Sequence, residues 1–194
     1  MRAIRTDAAP SYYFMHYDAA SWTVRNLLLV PHFAFPPSAI VKRNPLSATA
    51  RRAGWIGCNF ALDRIPADAR IPVVTTIKAA AGDTECIMIS RPEEVREKFR
   101  RIKPLKELGV AQRGWTLDVL TIVRRITNEK LKTQNSKLNI AEAFSNADVY
   151  AYERELEQLH PGNRHIRDKI RQQLQVLRDM GLLSQPERGV WRVV

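Results

Sequence analysis

The chain has 194 residues, 45% of them hydrophobic, and a formal charge of +11 from 31 Lys and Arg against 20 Asp and Glu. That apolar share supports a buried core and excludes wholesale disorder. No apolar run approaches the ~18 residues a membrane helix needs, and no signal-peptide pattern opens the chain. No membrane partner is therefore expected, and a cytoplasmic location is. Cys58 and Cys86 are the only cysteines, which excludes a disulfide framework and a zinc site of several cysteines. Of the 31 cations, 22 are Arg and 9 are Lys. Arg forks onto phosphate and guanine, so the balance favours nucleic acid, with a ribosomal or RNA-coating protein equally compatible.

The first half reads as mixed α/β. Ser11–Tyr17 and Thr23–Val30 are apolar and aromatic runs flanking Asp18-Ala19-Ala20-Ser21, the pattern of a hairpin. Pro36 and Pro37 open a short helix through Val41. Trp55–Phe60, Ala69–Ile77 and Glu85–Ile89 are further strands. Ser90 with Glu93 forms a capping box for a helix carrying Val95, Phe99 and Ile102, which Pro104 ends. Met1–Thr6 carries no cap and leads at once into an internal-looking strand, so a shortened opening is expected.

In the second half, Trp115 and Leu120 staple a helix start at Thr116, with Leu117, Leu120 and Val123 as its stripe. Ser145 and Asp148 cap a second helix bearing Val149, Tyr152, Leu156 and Leu159, which Pro161-Gly162-Asn163 ends. A third helix runs from Arg164 to Met180 with Gly181 as its stop. Leu182–Ser184 and Val190–Val194 are two short strands around Gln185–Gly189. Three helices and a hairpin in this order make a winged helix-turn-helix.

Ile166, Ile170, Leu174 and Leu177 share one face of the third helix, and Arg164, Arg167, Arg171, Gln175 and Arg178 the other. Arg reads guanine or phosphate and Gln reads adenine, so Asn163, Arg164, Arg167, Arg171 and Gln175 are candidate DNA contacts. Arg188 lies with Trp191 in the wing, where an Arg can reach the minor groove. An ordinary charged outer helix face has the same pattern.

Lys42–Asn59 holds four cations and no anion, with small residues around Arg51 and Arg52 and an indole at Trp55. Arg43, Arg51, Arg52 and Trp55 suit a loop that clamps a duplex; the alternative is a basic surface loop with Trp55 in the core.

Ala50-Arg51-Arg52-Ala53-Gly54-Trp55-Ile56-Gly57-Cys58-Asn59, Arg113-Gly114-Trp115-Thr116 and His165–Asp179 resemble the DpnI-type restriction endonucleases of the Dam-replacing family, in family order over nearly the whole chain. The resemblance weakens between Thr75 and Ala111. It implies an α+β protein: a partial PD-(D/E)xK restriction-endonuclease-like domain over residues 1–110, then a winged helix-turn-helix over 111–194. It implies a double-stranded DNA partner carrying adenine-methylated GATC, with Trp55 sensing methyl groups and Arg51 and Arg52 beside it. The parent chemistry is metal-dependent phosphodiester cleavage. The family uses Mg²⁺ and a structural Zn²⁺, yet no Lys here is preceded two residues earlier by Asp or Glu, and no C-x-x-C pair occurs. Neither catalytic residues nor metal ligands are therefore expected, nor a cofactor in this chain, and cleavage is expected to be lost. Alternatives are a stand-alone winged-helix regulator, a site-shielding protein, or a degenerate chain whose first half does not fold. No motif specifies an oligomeric state, and a monomer satisfies the sequence.

His16, His32, His160 and His165 lack metal-ligand spacing and are expected at surfaces or caps. Asp83 and Glu85 on neighbouring strands are a remote metal candidate, and Tyr12, Tyr13, Phe14 and Tyr17 are expected in a sheet core rather than on bases.

Overall fold

The computed structural model describes residues 2–5, 11–78, 85–133 and 143–194. In chain order it contains strands β1 (Arg2–Arg5), β2 (Ser11–Asp18), β3 (Thr23–Pro31), β4 (Ile40–Lys42), β5 (Cys58–Phe60), β6 (Ile71–Lys78) and β7 (Glu85–Ile89). Helices α1 (Pro92–Ile102) and α2 (Val110–Thr133) follow, then β8 (Ala143–Ser145), α3 (Asn146–Tyr150), α4 (Glu153–Leu159), α5 (Ile166–Asp179), β9 (Leu183–Glu187) and β10 (Val190–Val193). The chain forms two compact units, one from Met1–Ala34 with Ala67–Leu108 and the other from Phe35–Pro66 with Gly109–Val194. A single boundary near residue 110 therefore does not describe the packing, because Phe35–Pro66 folds with the later residues.

The first unit is an antiparallel sheet in the order β1-β2-β3-β6-β7. The hairpin expected from Ser11 to Val30 forms, and its turn is built by Asp18, whose Oδ1 accepts from the Ala20 amide at 3.0 Å. Arg2–Arg5 is itself a strand paired with β2, which the uncapped opening did not announce. Phe14, Val30, Phe33, Ile71, Ile102 and Leu105 are buried, and Phe99 of α1 meets Phe33 edge to face at 6.0 Å between centroids. Tyr12 and Tyr13 are half-buried and Tyr17 is exposed. The capping box expected at Ser90 does not form. The Ser90 amide donates to Val73 O at 2.9 Å, which keeps that residue on the sheet edge, and Arg91 becomes the N-cap with Pro92 at the first turn.

In the second unit, Phe35–Pro66 carry the separate β4-β5 ribbon, and Gly109–Val194 form a winged helix-turn-helix. Its core joins α2, α3, α4, α5 and the small sheet through Val119, Val123, Phe144, Leu156, Ile170, Leu174, Leu177 and Trp191. Helix α2 begins at Val110 rather than Thr116. Thr116 lies inside it, its hydroxyl directed at Gln112 O (2.9 Å) and Gln173 Oε1 (2.6 Å), so a buried partner replaces the expected cap. The capping box at Ser145 and Asp148 does form, but the expected single helix breaks at Ala151–Tyr152 into α3 and α4. Helix α5 ends as expected at Gly181 (φ +73°): the Leu182 amide donates to Leu177 O and the Gly181 amide to Arg178 O, which closes a Schellman motif.

The wing is tighter than expected. Gln185-Pro186-Glu187 belongs to β9, leaving Arg188-Gly189 as the turn, with Gly189 at φ +80°. Pro186 is tolerated because β9 is the outer strand of the order β8-β10-β9. The short strand β8, paired with β10, had no signal in the sequence. Trp191, in the wing as expected, faces the core: it is 3% exposed and donates from Nε1 to Asn146 Oδ1 at 2.7 Å.

The capping pair yields a pH prediction. Asp148 is desolvated, which favours its neutral form, but the Ser145 amide and hydroxyl and the Lys130 ammonium outweigh this and hold the carboxyl below its ordinary range. A lowered folded pKa means stability present above the ordinary carboxylate range and lost as pH falls through it. The Tm gap between the wild-type chain and Asp148→Asn should narrow below about pH 4. Thermal melts between about pH 7 and pH 3 check this, and a constant gap would remove Asp148 from the acid-sensitive set.

Candidate nucleic-acid interface

The basic loop is built as a ribbon. Ile40, Val41 and Lys42 pair with Phe60, Asn59 and Cys58, so only one short 3-10 turn (Pro37–Ala39) forms where a helix through Val41 was expected. Two β-branched residues with partners across the ribbon favour strand over helix there. The strand expected from Trp55 shortens to Cys58–Phe60, yet the pairing continues by single bonds. Arg43 N donates to Gly57 O and Leu46 N to Trp55 O, each at 2.9 Å, and Gly54 N returns to Leu46 O at 3.1 Å. Gly54 turns the tip at φ +75°, and Arg51 and Arg52 sit exposed beside it.

Trp55 is 54% exposed, so the core alternative for this indole fails. Its ring lies across the ribbon backbone: a Cβ built on Gly57 would come 3.0 Å from the indole and 3.7 Å from Arg43 Cδ. Any side chain at Gly57 would crowd the ring, so glycine there lets the indole approach the ribbon backbone without displacement. The outcome is an aromatic surface on a cationic finger, with Lys42, Arg43, Arg51 and Arg52 all exposed.

In the same unit, α5 buries Ile166, Ile170, Leu174 and Leu177 and exposes Arg164, Arg167, Arg171, Gln175 and Arg178. Asn163 is half-buried and its Oδ1 accepts from the His165 amide at 2.8 Å, so it shapes the turn before α5. Arg167 donates to Glu153 at 2.8 Å and lies 5.3 Å from the Tyr150 ring. Arg171 meets Tyr150 and Asp168, which hold its guanidinium charged, the Tyr150 hydroxyl contributing most. Arg178 pairs with Asp179 and reaches Gln185. Arg188 is exposed on the wing turn. Tyr150 and Glu153, which aim Arg167 and Arg171, were not among the sequence candidates because they lie on preceding helices.

The units differ in charge. The first carries 12 Lys and Arg against 9 Asp and Glu, the second 19 against 11, so +8 of the +11 belongs to the unit with ribbon, helix and wing.

A family model described as the DpnI, Dam-replacing family matches residues 1–108, and one for the Dam-replacing HTH domain matches residues 136–193. The chain belongs to the Dam-replacing family. It is a DNA-binding protein of restriction type, with a nuclease-family domain and a helix-turn-helix domain. The first match includes residues 75–108, where the motif resemblance is weakest, whereas Arg113–Thr116 falls between the two matches. Among the described residues of this Dam-replacing protein, no helix is long and apolar enough to cross a membrane.

Among the described residues, no group of three His, Cys, Asp or Glu could hold an ion. Asp83 lies outside the described residues. Glu85 is engaged by Arg25, which also donates to Asp18, so a guanidinium stands where a cation between these carboxylates would sit. Cys58 and Cys86 are separate, exposed thiols. His16, His32 and His165 are exposed as expected. His160 is the C-cap of α4, as expected, and beyond that its ring stacks on Trp115 at 3.8 Å and its Nε2 donates to Asp118 Oδ2 at 2.9 Å.

Proposed function

We propose that this chain binds duplex DNA carrying adenine-methylated GATC, with the Trp55 ribbon and helix α5 as its reading elements, and that the 194 residues do not by themselves cut it. The observation that carries the reading is the exposed Trp55 indole, packed against Gly57 on a ribbon of four exposed cations. An aromatic face beside cations offers apolar contact to a methyl group while the cations hold phosphates. The absence of any [DE]-x-K sequence supports binding without cleavage, since such a site needs carboxylates for the metal and a Lys beside the attacking water. A protein that shields sites, or a regulator, fits the same surface.

Binding of the purified chain to methylated and unmethylated GATC duplexes tests this. Tighter binding to the methylated duplex is expected, and equal affinity for both and for unrelated DNA would overturn it. Arg171→Ala should weaken methylated GATC by about tenfold or more and relax base preference, because a good base-edge contact contributes discrimination of that order. Equal losses on all three duplexes would assign Arg171 to phosphate. Metal-dependent cutting of methylated plasmid by the pure chain would refute the binding-only part.

A further inference from the structure

Asp118 is a carboxylate on α2 that is 4% exposed and bonded through both of its oxygens. Its Oδ1 accepts from Ser38 Oγ at 2.6 Å and its Oδ2 from His160 Nε2 at 2.9 Å. Ser38 sits in the 3-10 turn immediately before β4, the first strand of the Trp55 ribbon. Its carbonyl also accepts from Arg64 Nη1 at 2.9 Å, and Arg64 follows β5, so both legs of the ribbon are tied at this point. His160 closes α4, and its carbonyl accepts the Asn163 amide at 3.0 Å in the turn that leads into α5.

From these contacts we infer that Asp118 is a positioning residue that sets the Trp55 ribbon against helix α5, so that the two reading elements meet one duplex together. Two observations argue against a plain core contact. A buried carboxylate is costly unless both oxygens are satisfied, and apolar residues would fill a core more cheaply. The two partners it has come from the ribbon's root and the turn before α5, the two places where a shift would move a reading surface. The inference rests on the proposal that both elements contact DNA.

The test uses the full chain and the methylated GATC duplex. In the wild-type background Trp55→Ala and Arg171→Ala should each weaken binding by about tenfold, as for an aromatic or bidentate base contact. In a Ser38→Ala background, which cuts only the ribbon's tie, the Trp55→Ala factor should shrink to about twofold while the Arg171→Ala factor stays, a coupling in the range expected of linked residues. With Ser38 intact, Asp118→Asn keeps an acceptor toward the Ser38 hydroxyl and should leave the Trp55→Ala factor at about tenfold. If Ser38→Ala only lowers Tm and leaves both factors unchanged, Asp118 has no positioning role. A Trp55→Ala change that costs nothing in the wild-type background would instead refute the reading of the ribbon. Because Ser38→Ala removes one hydroxyl, the result does not depend on whether Asp118→Ala folds.

Discussion

Trp191→Ala should remove about 3–5 kcal/mol from the stability of the second unit, the cost of deleting a buried Trp with its packing. Trp191 is 3% exposed and belongs to the cluster that holds Phe144, Leu174 and Leu177. Its Nε1–H also satisfies Asn146 Oδ1, the first residue of α3, so truncation leaves a cavity and strips a partner from the helix start. Domains of this size have about 5–15 kcal/mol in total, so the variant should unfold at low denaturant and lose DNA binding for lack of a folded wing. Urea melts followed by far-UV signal check it. A loss under about 1 kcal/mol would contradict the burial of this indole. Arg188→Ala on the same hairpin is exposed and should leave the melt unchanged.

Affinity for any duplex should fall by about a thousandfold between about 50 and 200 mM salt if about six phosphates are neutralised. The exposed cations among the proposed DNA contacts are Lys42, Arg43, Arg51 and Arg52 on the ribbon, Arg164, Arg167 and Arg171 on α5 and its approach, and Arg188 on the wing. Six contacts are taken from these eight because Arg167 and Arg171 already have acidic partners, Glu153 and Asp168. Charge removal at the ribbon tip, Arg51→Ala with Arg52→Ala, should lower the slope of log affinity against log salt by about 2 on methylated and unmethylated DNA alike. Slopes near zero would show that the +8 of this unit is a solvated surface rather than a phosphate-binding one. This sequence-independent term separates from Arg171 and Trp55, whose loss should change discrimination.

Elements with local causes were legible. The Ser145–Asp148 box, the apolar stripe of α5 and its Gly181 stop all depend on residues within a turn of one another, and all are present. Elements with distant causes were not. Thr116 reads as a cap, yet Gln173, on α5, receives its hydroxyl and lets α2 run through. Ser90 reads as a cap, yet the sheet takes its amide first. His160 reads as a surface or cap residue and does cap α4, yet nothing near it in sequence names Trp115 or Asp118 as the partners of its ring.

The sequence by itself determined the class of partner and the family. Arg-rich charge, the loop around Arg51-Arg52, and a helix with four apolar residues on one side and cations on the other are properties of residue type and spacing. Only the tertiary structure decided which cations share a unit, because Phe35–Pro66 joins the residues after Gly109 through contacts distant in the chain. It also decided that Trp55 is outside and Trp191 inside. Both are tryptophans beside short strands, and their burial depends on whether another layer covers that face: helices cover Trp191, whereas Trp55 rests on a Gly57 backbone with solvent above it.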